Sequence, residues 1–119
     1  MAGTIRIEKI EKNNIFDIKD IKVKNAEIFQ NILSSKRIII ERIISSGQMT
    51  PNGIWLSEKT DEWVILLKGK AEISFRSGEK FNLEKGDYIL IKSGTKHRVN
   101  YTSKNPECIW IAIHGKLTD

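Results

Sequence analysis

The chain has 119 residues, of which 39% are hydrophobic and 29% charged, and carries a formal net charge of +5. That length supports one hydrophobic core but not two, and the balance excludes a disordered or fibrous chain. No apolar run approaches the ~20 residues that span a bilayer, and residues 1–8 lack the apolar stretch of a secretory signal, so the expected location is cytoplasmic, with no membrane partner.

The lead-in, residues 1–35, is read as belonging to one domain with residues 36–119. Residues 4–8 alternate and predict an edge strand. Across residues 8–24 the lysines at 9, 12, 19, 22 and 24 are offset by Glu8, Glu11, Asp17 and Asp20. This mixed surface is not a stripe that tracks phosphates, so no nucleic-acid partner is expected. Ile28, Phe29, Ile32 and Leu33 fall at i, i+1, i+4 and i+5, which predicts a short helix with Asn25 as its N-cap.

From residue 36 to 119 the pattern turns to short β-like runs. Residues 37–44 are rich in isoleucine and end at Ser45-Ser46-Gly47. Residues 63–67 are almost wholly apolar, as a strand covered on both faces should be. Residues 71–75 alternate, turn at Ser77-Gly78 and return over 80–83, which reads as a hairpin. Further strands are predicted at 88–91, 97–102 and 108–114. Seven or eight short strands at roughly ten-residue intervals, with 21 isoleucines, predict an antiparallel sandwich or barrel. The single cysteine, Cys108, sits in an apolar strand and reads as a buried, inert thiol.

Two spacings carry chemistry. In the first, Glu62 is followed after six residues by Gly69. In the second, Gly86 precedes Lys92, Gly94, His97 and Tyr101. These resemble the two motifs of the cupin superfamily, G(X)5HXH(X)3–4E(X)6G and G(X)5PXG(X)2H(X)3N. Lys92 replaces the proline and Tyr101 the asparagine, and both histidines of the first motif are absent. Their places fall on Trp55 and Ser57 or on Leu56 and Glu58, according to the length of the spacer. Ile40-Glu41-Arg42-Ile43, Asp61-Glu62-Trp63 and Trp110-Ile111-Ala112-Ile113-His114 are similar to pieces of a subgroup of small cupins. The resemblance implies an all-β fold, a double-stranded β-helix or jelly-roll barrel over residues 36–119, preceded by the short helix.

It also implies a site in the barrel mouth. Strand alternation puts Glu62, Val64 and Leu66 on one face, and His97, Val99 and Tyr101 on another. The expected ligand-binding residues are Trp55, Ser57, Glu58, Glu62, His97, Arg98 and Tyr101. Glu62 and His97, with Glu58 as a third ligand, form the set for a divalent metal such as Mn, Fe or Zn. Lys92, Lys96, Arg98 and Lys104 bracket His97 with no acid between Tyr88 and Pro106. They read either as a positive rim for an anionic metabolite or as scattered solvated side chains. Three functions stay open: a barrel binding a small anionic metabolite, with a degenerate metal site or none; a metal-dependent dioxygenase, isomerase or decarboxylase; or a structural or regulatory interaction module whose barrel is a scaffold. Trp63, opposite to Glu62 in parity, is expected to face the second sheet or a partner subunit, and a homodimer is the expected assembly.

Overall fold

A computed structural model of the chain describes Gly3 and residues 9–119. The expected edge strand at 4–8 lies outside the described residues. Eight strands run in chain order: β1 (Ile28–Ser34), β2 (Ile38–Ser45), β3 (Asp61–Lys68), β4 (Ala71–Phe75), β5 (Lys80–Leu83), β6 (Tyr88–Ile91), β7 (His97–Thr102) and β8 (Cys108–Gly115). They form a five-stranded sheet in the order β1-β2-β8-β3-β6 and a three-stranded sheet in the order β5-β4-β7. All the named pairings are antiparallel.

The predicted helix over Ile28–Leu33 is instead β1, paired with β2 from Ile28↔Ile44 to Ser34↔Ile39. The register shifts between Asn31 and Leu33, so Ile32 is an extra residue in the ladder. A bulge inserted into a period-two pattern spaces its apolar residues like a helical face. Tertiary pairing then decides the conformation.

The core lies between the sheets. Val64 and Leu66 of β3, Trp110 and Ala112 of β8, and Ile91 of β6 meet Ala71, Ile73 and Leu83 of the smaller sheet. On the far side of the larger sheet, Arg42 donates to the carbonyls of Asn14, Ile15 and Asp17, and to the side-chain oxygen of Gln30. Gln48 donates to the Lys24 carbonyl. These bonds tie the lead-in to the barrel.

Two of the three motif glycines show separate physical reasons. Gly69 follows β3 at φ +89°, and a Cβ there would lie 2.8 Å from both the Cys108 Sγ and the Ser103 Oγ. Gly94 turns the chain at φ +77° ahead of β7, with its N–H donated to the Glu58 carbonyl. That turn delivers His97 to the head of its strand. Beside it, Asp61 accepts from the Ser93 N–H, the Leu117 and Thr118 N–H groups and the Thr118 hydroxyl, fastening the C-terminal residues to the same end of the barrel. These bonds hold the Asp61 carboxyl below the usual carboxylate range, the Ser93 N–H contributing most.

Candidate functional site

Three neighbouring strands of the large sheet each place a polar side chain at the same end of the inward face. His114 of β8 stands directly opposite Glu62 of β3, and Glu41 of β2 lies diagonally across from it, opposite Ala112. The His114 Nε2 is hydrogen-bonded to the Glu41 Oε1 at 2.7 Å, and its Nδ1 lies 3.3 Å from the Glu62 Oε2. One imidazole thus bridges two carboxylates across three strands. Burial raises the Glu62 carboxyl above its ordinary value; His114 and His97 pull it down, while Glu58 and Glu41 add to the rise.

The smaller sheet supplies the other half. β7 pairs with β4 as His97↔Phe75 and Val99↔Ile73, which puts His97 at the barrel mouth with Val99 beneath it. His97 is only 5% exposed. Its Nδ1 lies 3.0 Å from the Thr95 carbonyl, so Nδ1 carries the proton and, in the neutral ring, Nε2 is left as an acceptor. Among the described residues no side chain partners that Nε2. Glu62 and His97 line one cavity of about 70 Å³ together with Glu27, Ile43, Val64, Ile73, Ile91, Val99, Thr102 and Trp110.

Glu27 was not anticipated from the sequence. It directly precedes β1, where Ile28 pairs with Ile44, so one further step brings it level with Ser45 on the inward face. It also lines an adjoining cavity of about 150 Å³ bounded by Gln48, Met49, Thr50, Pro51, Leu56 and Val99. Partial desolvation raises its carboxyl, and Glu41 and Glu62 raise it further. Glu41 and His114 were likewise unassigned. Their only signal in the sequence was a charged or titratable residue at inward parity within an isoleucine-rich strand.

The remaining expected residues lie elsewhere. Leu56 bridges to His97, and paired residues share a face, so Leu56 and Glu58 occupy the places of the absent histidines, and Trp55 and Ser57 do not. Trp55 is half-buried and lines neither cavity. Ser57 and Glu58 are exposed, with Glu58 near enough to raise the Glu62 carboxyl. Arg98 faces away from the cavity and donates to the Asn100 side chain and to the carbonyls of Thr50, Pro51 and Ile54. It staples the loop that flanks β7 and makes no ion pair with Glu62. Tyr101 is 53% exposed. A register shift at Asn100 leaves Tyr101 opposite Glu72, so parity reverses and Thr102 takes the inward place. Trp63 lies on the outer face of the large sheet, its ring 5.3 Å from that of Tyr88.

The donor set does not fit a divalent metal well. Glu62 is engaged by His114, Leu56 fills one ligand place, and Glu58 is exposed. Among the described residues no group of three or more His, Cys, Asp or Glu side chains is arranged to hold a metal ion. The arrangement can instead accept hydrogen bonds at several points in an apolar, partly enclosed space.

Comparison with known proteins agrees with this architecture. A family model described as a cupin domain matches residues 44–114. No curated protein matches the chain in sequence. A candidate mannose-6-phosphate isomerase from Ralstonia eutropha JMP134 is 34% identical, with a TM-score of 0.83 over 90% of this chain and 99% of that one. An RmlC-like cupin with a double-stranded β-helix fold from Methanocaldococcus jannaschii is 15% identical, with a TM-score of 0.65 over 93% of each chain. KdgF from a Halomonas species is 14% identical, with a TM-score of 0.64 over 80% of this chain and 85% of its own. The last two speak for the fold alone. No helix among the described residues is long and apolar enough to cross a membrane. With the motif glycines at their turns, Glu62 and His97 on facing sheets and the family model spanning most of the barrel, the chain belongs to the cupin family.

Proposed function

We propose that the protein binds a small molecule in the cavity between Glu62 and His97, and that this ligand donates hydrogen bonds to the walls. The observation that carries the reading is His97: buried, tied at Nδ1 to the Thr95 carbonyl and open at Nε2 beside Glu62. An acceptor held in place within apolar walls is how a binding site fixes the orientation of its ligand. The basic stretch around His97 pointed to an anionic ligand. The walls support that less well, because Glu27 and Glu62 line the cavity while Lys92, Lys96 and Lys104 are exposed.

Melting-point screening with small polyols, amines and carboxylic acids tests this reading. A ligand at 100 times its Kd adds about 2.7 kcal/mol to stability, so compounds rich in N–H or O–H groups should raise the melting temperature. His97→Leu should abolish the rise. A flat response across the panel, or one confined to carboxylic acids, contradicts the reading.

The similarity to a candidate mannose-6-phosphate isomerase favours a second reading, a metal-dependent cupin enzyme with Glu62 and His97 as ligands. Near-stoichiometric Mn, Fe or Zn in the purified protein, lost in both Glu62→Ala and His97→Ala, would establish it over the first. A homodimer is proposed for either case. Trp63, Ile65, Tyr88, Leu90, Ile111 and Ile113 make the outer face of the large sheet apolar, with Tyr88 and Leu90 exposed, and a second copy would cover it. Sedimentation giving only monomer at micromolar concentration contradicts this assembly.

A further inference from the structure

We propose that the cavity selects a small organic ammonium ion, held by the Glu62 carboxylate, the His97 Nε2 and the Glu27 carboxylate from the lead-in. This deepens the ligand-binding reading above and rests on it. The first ground is an inventory of the polar atoms that line the cavity. The Thr102 hydroxyl donates its proton to the Gln48 carbonyl at 2.6 Å, and the Trp110 indole N–H donates to the Ser45 hydroxyl at 3.1 Å. His97 directs its Nδ1 to the Thr95 carbonyl. The Thr102, Trp110 and His97 side-chain donors are thus committed elsewhere, and the ionised Glu27 and Glu62 carboxylates and the His97 Nε2 remain as acceptors. A bound molecule must supply the protons, and an ammonium group supplies three.

The second ground is charge. Neither lysine nor arginine lines the cavity, whereas Glu27 and Glu62 do. His114 is shared between Glu62 and Glu41, so a single imidazole serves two carboxylates. Burial above all, and then the charges of Glu41 and Glu62, raise the Glu27 carboxyl, and a cation placed between Glu27 and Glu62 offsets the part that is like-charge repulsion. A metal ion would need converging donors that the described residues do not provide; hydrogen bonds to an ammonium group tolerate a looser arrangement.

The third ground is size. A space of about 70 Å³ is several times the roughly 10–15 Å³ that a single water needs, so it admits a small organic ion. Glu27 and Val99 are common to this cavity and its neighbour of about 150 Å³. Glu27 therefore stands at the junction of the two spaces, where it can meet the outer end of the ligand.

Chemical-shift titration of the full chain, at constant ionic strength, tests this with methylammonium chloride, ethylene glycol and sodium acetate as probes. Methylammonium should shift the Glu62, His97 and Val99 resonances and bind at least tenfold more tightly than ethylene glycol, with acetate inert. Glu27→Gln and Glu62→Gln should each weaken methylammonium binding tenfold or more. Glu27→Gln is the safer variant, since it lies outside the core and its fold can be checked from the same spectra. Ethylene glycol binding as well as methylammonium would overturn the ammonium assignment and leave the ligand-binding reading standing. Methylammonium binding that Glu27→Gln does not weaken would overturn the part given to the lead-in. Failure of every probe to shift a cavity resonance would count against both.

Discussion

The same three strands are ionisable at one end of the inward face and carry sealed, uncharged side chains at the other, in steps of two residues. β3 runs inward as Glu62, Val64, Leu66; β8 as His114, Ala112, Trp110; β2 as Glu41, Ile43, Ser45. At the closed end the side chains are sealed between the sheets, and Leu66 has no exposed surface at all. At the open end, Glu41, His114 and Glu62 retain 16–19% of their side-chain exposure, and Glu62 lines space that the protein does not fill. The two ends thus divide two tasks that one backbone performs. The closed end holds the sheets together, and the open end gives up packing to display acceptors.

Substitutions at the two ends should therefore differ in kind. Leu66→Ala is expected to have the largest effect, a loss of about 2–5 kcal/mol from cavity formation in a sealed core, read by chemical denaturation with little change in ligand preference. His114→Leu should cost less, about 1–3 kcal/mol, because it leaves Glu41 and Glu62 without their shared partner. Replacing all three residues of that row by apolar side chains of similar volume should restore most of the loss, and ligand binding should not return. A stable triple variant that still binds would erase the distinction between the ends. Gly69→Ala should cost about 1–2 kcal/mol for its left-handed backbone, plus the clash with Cys108 and Ser103.

The smallest expected effects are in pH. Asp61 has a lowered pKa, so the unfolded chain takes up its proton first on acidification. Its contribution to stability is present above the ordinary carboxylate range and lost as pH falls toward the folded value. Glu62 and Glu27 are raised and act in the opposite sense. The folded chain holds their protons between the ordinary value and the raised one, and that contribution is lost as pH rises through this window. Melting temperature against pH should show the acid limb flattened in Asp61→Asn and the decline on the other side flattened in Glu62→Gln. Unchanged profiles in both variants would contradict these environments.

Much of the architecture could be read in advance because its signals are local. Gly69, Gly86 and Gly94 mark turns, all at positive φ, and the spacing from them locates Glu62 and His97. What escaped was whatever depends on register between distant strands. The bulge at Ile32 made a strand look helical, and the shift at Asn100 turned Tyr101 outward. Whether Trp55 or Leu56 faces inward hung on one bridge to His97. The row of Glu41, His114 and Glu62 unites residues as far apart as positions 41 and 114. No spacing within the chain announces such a meeting, although an acid at inward parity in an isoleucine-rich strand was a trace of it. Glu27 lay in a segment read as a helix, and it acquires its place only once β1 is a strand.

The ring nitrogens of His97 offer the most direct test of the site. A ¹⁵N spectrum of the imidazole should show the neutral ring protonated at Nδ1, with Nε2 shifting toward a hydrogen-bonded value on addition of a donor-bearing ligand. A proton resident on Nε2, or a ring signal indifferent to every small molecule that stabilises the fold, would contradict the assignment of this cavity as the place where the protein meets its ligand.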